Sequence, residues 1–263
     1  MIANFFQSLD RHRVEYLLIS GQATVLYGAA TFSEDIDLWI NPTEANGNRF
    51  LPALHECCAR FYKLTPPPTV ENLRRGHGFH FILPGEVFLD VMGRPPRVSS
   101  FAAAATTARR IETEWGAIQT IGIQPLVELK KTQRLEDYPI ISKLALAWFG
   151  QPGCAGTDAD FLWALQNIFT LPELALFFTE HPAAASVAGG KSNPDVAKYA
   201  RQLLAGGEPD ESVERRVSGW FQSQISELQQ SDRQHWRDII RELKELRAAG
   251  KLMPEGESVP PAI

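Results

Sequence analysis

The sequence has few cysteines and no long apolar run, and both absences limit the classes of protein it can encode. Only 3 of its 263 residues are Cys, and the adjacent pair Cys57 and Cys58 suits neither a zinc site nor a disulfide framework. The longest apolar stretches, such as 141–150, are too short to span a bilayer. The N-terminus lacks the basic start and apolar run of a signal peptide. We therefore expect a cytoplasmic, reducing environment and no membrane partner.

An excess of basic charge is also missing. Lys and Arg total 26 against 31 Asp and Glu, so the formal net charge is -5. The chain as a whole lacks the strongly basic surface of many nucleic-acid-binding domains, although local basic clusters can still hold a phosphate. It has no GxxxxGK[ST] loop, which argues against a P-loop ATPase. It also has no Ser/His/Asp hydrolase signature.

The residue pattern changes near residue 137. Before it, apolar runs predict strands between helical segments, at 14–19, 36–40, 78–83, 86–92 and 117–123. After it the pattern is helical, with two final helices expected at 210–229 and 231–249 and a loose tail at 253–263. We predict an α/β (α+β) fold with a first domain over residues 1–137 and a helical C-terminal domain over residues 138–263.

Three acidic residues lie on predicted strands. Asp35 and Asp37 alternate along one strand, so both point to the same face, where their repulsion favours a bound cation. Asp90 is a lone acid in an apolar hairpin strand, where burial without a partner is costly. Together the three carboxylates can hold two Mg²⁺ or Mn²⁺ ions for in-line phosphoryl displacement, with Asp90 helping to activate the attacking hydroxyl.

Structural interpretations of these acids remain open. Asp35 and Asp37 also fit a solvated strand start or a helix cap. Asp90 also fits an ion pair with Arg94 or Arg97. The histidines have no spacing typical of a metal site, and we expect structural roles for them.

Two further segments carry features of a phosphate site. Ser20-Gly21 precedes a short helix, where backbone N–H groups favour an anion, although a plain tight turn explains it as well. Lys130, Lys131 and Arg134 lie within about one turn of a helix predicted over 125–134 and can face a triphosphate. A solvated helix face is equally consistent with them, and the pattern does not choose between the lysines.

Two more features remain open. Asp137 fits a helix cap, and Arg74 and Arg75 form a second basic loop that can hold an acceptor.

Taken together, these motifs resemble a family. The small-residue turn, helix and Asp-x-Asp strand are similar to those of DNA-polymerase-β-type nucleotidyltransferases, in particular the minimal and abortive-infection-type (AbiE toxin-like) bacterial group. The resemblance is carried by Leu18-Ile19-Ser20-Gly21-Gln22-Ala23, Leu26-Tyr27-Gly28, Ser33-Glu34-Asp35-Ile36-Asp37-Leu38 and Leu126 to Asp137. It covers roughly residues 14–145. The family turn is commonly Gly-Gly or Gly-Ser, and this chain departs from it with Ser20-Gly21-Gln22.

The resemblance implies a fold and an activity. It implies a mixed sheet flanked by helices, two divalent cations and transfer of a nucleotide from an NTP. The expected catalytic residues are Asp35, Asp37, Asp90 and Lys131, and the expected nucleotide-binding residues are Ser20, Gly21, Lys130 and Arg134. A tRNA or other RNA end is the expected acceptor, in a toxin or phage-defence role that a cognate antitoxin protein regulates. The alternatives are a catalytically silent nucleotide-binding or antitoxin-like module and an antibiotic-type adenylyltransferase.

Overall fold

The computed structural model describes residues 2–151, 153–191 and 193–262. Within these ranges, no helix has both the length and the apolar character that a membrane crossing requires. The chain forms two compact units, and each is described by itself. Unit 1 comprises Met1–Leu26, Ala30–Leu129 and Gln234–Ile263, and unit 2 comprises Tyr27–Ala29 and Lys130–Arg233.

Unit 1 contains a seven-stranded mixed sheet, which confirms the predicted α+β class. The strands in chain order are β1 (Tyr16–Ile19), β2 (Ile36–Ile40), β3 (Arg60–Phe61), β4 (Gly78–Leu83), β5 (Val87–Met92), β6 (Arg109–Thr113) and β7 (Gly116–Thr120). Their order across the sheet is β3-β4-β5-β2-β1-β7-β6. β2 pairs in parallel with β5, and β1 pairs in parallel with β7. The other neighbouring pairs are antiparallel.

Six helices precede, connect or follow these strands. They are α1 (Ile2–Arg11), α2 (Ser20–Leu26), α3 (Glu44–Glu56), α4 (Val70–Arg75), α5 (Phe101–Ala105) and α6 (Ile123–Lys130). Local sequence sets several of their ends. The Thr43 side chain accepts a hydrogen bond from the Asn46 N–H and starts α3, whereas Gly76, with φ 88, ends α4 in the left-handed conformation that glycine favours.

Unit 2 is helical, as the pattern after residue 137 predicts. Its helices are α7 (Asp137–Phe149), α8 (Asp158–Leu165), α9 (Leu171–Glu180), α10 (Ala184–Lys191), α11 (Pro194–Leu204) and the first part of α12 (Glu211–Ala248). Their apolar faces form one buried cluster, in which Phe177 and Phe178 are fully buried. This burial supplies the main stabilisation that short helices lack in isolation.

The end of the chain differs from the expectation. The two helices predicted over 210–229 and 231–249 form one helix, α12, because no Gly or Pro interrupts the sequence at their junction. The tail is anchored rather than loose, since the Val259 N–H donates to the Ala59 carbonyl at 2.9 Å and the Val259 side chain is buried. Residues 234–263 therefore belong with the sheet, and the compact units do not follow a single division after residue 137.

Candidate functional site

Asp37 and Asp90 lie side by side in the sheet. Asp37 of β2 is paired in register with Asp90 of β5, and the two strands are parallel. The neighbours of Asp37 in sequence, Ile36 and Leu38, are fully buried, while Asp37 itself is half-buried. Because successive side chains in a strand point to opposite faces, the apolar residues fix β2 and turn the carboxylate to the other face. Two carboxylates facing each other across neighbouring strands repel, and a cation offsets that repulsion.

Asp35 takes a different position from the one expected. The alternation of Asp35 and Asp37 predicts that both share one strand face, but β2 begins at Ile36, so Asp35 lies one residue before the strand. It is half-buried, and its carbonyl accepts a hydrogen bond from the Ser33 hydroxyl at 3.5 Å. Asp35 is thus positioned by the loop before β2, whereas Asp37 is positioned by the pairing of β2 with its neighbouring strands.

His80 is a site residue that sequence reasoning missed. It is paired in register with Asp90 in the β4–β5 hairpin, and its Nδ1 lies 2.7 Å from Oδ1 of Asp90. Both side chains are about a third exposed, at 29% and 30%. The predicted strands at 78–83 and 86–92 leave a two-residue turn, which would set His80 opposite Leu89. The turn in the structure spans 84–86 and is centred on Gly85, and this register places His80 opposite Asp90. His77 instead is buried and bonded to Glu242 at 3.1 Å, in the structural role expected of it.

Ser20 and Gly21 begin α2 directly after β1. The last residue of β1, Ile19, is paired in register with Asp37, so the turn starts beside the carboxylates. Ser20 has φ 56, a conformation that costs a non-glycine residue free energy and is found disproportionately at functional sites. Gly21 has a packing reason of its own, because a Cβ there would lie 2.2 Å from the Ser33 Oγ.

The basic cluster belongs to unit 2, and its geometry corrects one expectation. The predicted helix over 125–134 ends at Lys130, so Lys130, Lys131 and Arg134 do not share a helical turn. The Lys130 ammonium instead binds Asp137 Oδ1 at 3.0 Å, with both side chains more than nine-tenths buried. Thr132, whose hydroxyl donates to Asp137 Oδ2 at 2.8 Å, turns the chain out of the helix.

The other two cations differ in exposure. Arg134 is 64% exposed and lies 3.4 Å from Asp137 Oδ2, whereas Lys131 is buried. Lys130 and Arg134 both contact Asp137, and the expected role of this cluster in binding a triphosphate stays a prediction. Arg74 and Arg75 were expected in a loop but form the end of α4, and both are engaged, since Arg75 pairs with Glu71 and Arg74 donates to the Pro42 carbonyl.

The donor set at Asp37 and Asp90 suits a hard divalent cation. Among the residues that the structure describes, no group of three or more His, Cys, Asp or Glu side chains is arranged to hold a metal ion by itself. Mg²⁺ does not require such a group, since it commonly keeps several waters and binds through one or two carboxylates together with substrate phosphates. A pair of carboxylates with Asp35 nearby in sequence fits that mode, and it does not fit zinc. Comparison with protein-family models and with curated proteins finds no match to this chain.

Proposed function

We propose that this protein is a metal-dependent nucleotidyltransferase that transfers an NMP from an NTP to an acceptor. The observation that carries the proposal is the register of the sheet, which sets Asp37 and Asp90 opposite each other on adjacent parallel strands. This arrangement gathers acids that are 53 positions apart in sequence (90 − 37) onto one sheet face. Two carboxylates paired on one sheet face form a donor set that suits a hard divalent cation, and this supports a metal-binding role for them.

Each residue has a proposed role. Asp35, Asp37 and Asp90 hold Mg²⁺ or Mn²⁺, which when bound lowers the pKa of the attacking hydroxyl and stabilises charge on the phosphates. Ser20 and Gly21 seat the phosphates with backbone N–H groups. The resemblance implies that Lys131 and Arg134 are the cationic partners of the triphosphate.

The resemblance of the motifs to abortive-infection-type nucleotidyltransferases supports a narrower proposal. The acceptor is an RNA end, most simply that of tRNA, and the activity serves as a toxin or in phage defence in the cytoplasm, regulated by a cognate antitoxin protein. The geometry of the carboxylates serves any hydroxyl acceptor, so this part of the proposal depends on the resemblance alone.

The test is a transfer assay. Purified protein is incubated with each α-labelled NTP, with Mg²⁺ or Mn²⁺, and with total tRNA. We expect label on RNA with the wild type, and a loss of about a thousandfold in Asp37→Asn and in Asp90→Asn, since losing about 4 kcal/mol of transition-state stabilisation corresponds to three factors of ten.

The matched control is Asp10→Asn. Asp10 is an exposed carboxylate of α1 in the same unit, and its removal leaves the paired acids untouched. Full activity in Asp37→Asn and Asp90→Asn contradicts the proposal. Label on protein or on a small molecule instead of RNA keeps the enzyme and replaces the acceptor.

A further inference from the structure

We infer that His80 is a positioning residue of the metal site: its ring holds Asp90 by Oδ1 and leaves Oδ2 for the cation. The inference rests on the proposed function, and it adds a residue that the resemblance does not supply. Three neighbouring strands carry the arrangement, because His80 of β4 is registered with Asp90 of β5, which is registered with Asp37 of β2. The three polar side chains therefore form one row across the sheet.

The contact between His80 and Asp90 is close and directional. Nδ1 of His80 lies 2.7 Å from Oδ1 of Asp90, at the short end of the range for a charge-assisted hydrogen bond. A carboxylate that accepts such a bond cannot rotate freely about its last torsion. Ligating carboxylates are commonly held in this way by outer hydrogen bonds, which set the oxygen that faces the metal.

The backbone of His80 is held by Thr65. The fully buried Thr65 hydroxyl lies 3.0 Å from both the backbone nitrogen and the backbone oxygen of His80. The His80 carbonyl also accepts from the Tyr62 N–H at 2.9 Å. The backbone N–H and carbonyl of His80 are therefore both held by the 62–65 segment, which suits a group that must orient another.

The residue beside the far edge of the ring is a glycine. A Cβ added at Gly78, two residues before His80 and on the same strand face, would lie 3.6 Å from Nε2. The glycine thus places no side chain over that edge. Stability alone does not explain the pair, because a partly exposed ion pair contributes little to folding.

Mn²⁺ binding tests the inference without relying on activity. Wild type, His80→Leu and His80→Asn are titrated with Mn²⁺, and free ion is measured by electron paramagnetic resonance. We expect His80→Leu to weaken binding about 10- to 100-fold, which is the effect usual for outer hydrogen-bond partners of metal ligands. His80→Asn should restore binding to within about threefold of wild type, because its amide nitrogen occupies the place of Nδ1.

Two controls separate positioning from general structure. His12→Leu removes a pair of similar exposure, His12 with Glu56 at 2.9 Å, and should leave Mn²⁺ binding unchanged. His80→Gln, whose amide nitrogen lies near the place of Nε2, should bind Mn²⁺ as weakly as His80→Leu. It also replaces His80→Leu if that variant does not fold.

The outcomes distinguish this inference from the proposed function. Mn²⁺ binding that is lost in Asp90→Asn but unchanged in both His80→Leu and His80→Gln overturns the role of His80 alone. Equal weakening in His80→Asn and His80→Leu also overturns it, since the donor at Nδ1 would then be irrelevant. A wild type that binds no Mn²⁺, with or without NTP, overturns both.

Discussion

The two units treat their buried or half-buried carboxylates in opposite ways. In unit 2, Asp137 is 6% exposed and is neutralised by Lys130, with a further hydrogen bond from the Thr132 hydroxyl. In unit 1, Asp37 and Asp90 face each other across two strands and remain in reach of solvent. The first arrangement pairs a buried carboxylate with an ammonium, whereas the second places two carboxylates side by side, with His80 beside Asp90.

This difference separates a structural carboxylate from a candidate functional one. Both lie in segments that resemble the same family, with Asp90 inside an apolar run and Asp137 at the end of a charged one. Burial and the ion pair with Lys130 mark Asp137 as structural, and neither is visible in a motif. Lys130 is the clearest case, because the sequence predicts a triphosphate ligand and the structure shows an ion pair with Asp137.

The largest expected effect on stability comes from Asp137. Replacing it with Asn leaves the Lys130 ammonium buried without its countercharge, which should destabilise unit 2 by about 3–5 kcal/mol. Hydrogen exchange of the α7 amides in urea measures the change, because this helix begins at Asp137.

The control for Asp137 is Glu211→Gln. Glu211 pairs with Arg215 at 2.7 Å, but its side chain is 86% exposed, so its loss should change stability by less than about 1 kcal/mol. Equal effects of the two substitutions would remove the distinction between a buried and an exposed pair. A charge-free Lys130→Met/Asp137→Leu double variant should recover most of the lost stability.

Much of the fold was predictable from the sequence. The β4–β5 hairpin follows from alternating apolar residues around Pro84-Gly85, and the strand at 36–40 has the predicted bounds. β3 and β6 were not predicted, since β3 has two residues and β6 alternates charged with partly buried side chains at a sheet edge. Such strands form because a neighbour offers hydrogen bonds, and a single segment does not contain that information.

The candidate site was predictable only in part. Asp37 and Asp90 could be named, but their pairing depends on β5 adding to β2 in parallel, a long-range choice that no local pattern sets. His80 was missed because a lone histidine has no metal spacing, and its partner became clear only from the hairpin register. The anchored tail was missed because Val259 is a single apolar residue among prolines and polar residues.

A divalent cation should change the stability of unit 1 by an amount between the largest and the smallest effects predicted here. Mn²⁺ at a hundred times its dissociation constant should stabilise unit 1 by about 2.7 kcal/mol, because it binds the folded site and not the unfolded chain. Thermal unfolding with and without the ion measures the shift. Asp37→Asn and Asp90→Asn should abolish this shift. Asp137→Asn should keep the shift, although its stability without the ion is lower than that of the wild type. A shift retained in the first two variants places the ion elsewhere.

The smallest expected effect belongs to a third kind of carboxylate, one that accepts hydrogen bonds from a helix-cap residue. Asp160 in the first turn of α8 accepts from the Thr157 N–H and from its hydroxyl, each at 2.9 Å, and Thr157 in turn accepts from the Asp160 N–H. The Thr157 N–H is the main reason that the pKa of Asp160 lies below its ordinary value. A lowered folded pKa adds stability above the ordinary pKa of about 3.9, and this stability is lost as the pH falls through the folded pKa.

Asp160→Asn should therefore cost only about 0.5–1 kcal/mol at pH 7, the range of a helix cap. Solvent screening keeps the effect of this partly exposed acid small. The difference from wild type in urea unfolding should shrink below about pH 4, because protonation weakens the wild-type cap as well. A difference that stays constant down to pH 2 would show that the charge of Asp160 is irrelevant to the cap. A loss as large as that of Asp137→Asn would mean that burial does not set the order of these carboxylates, and the assignment of Asp37 and Asp90 would lose the contrast that supports it.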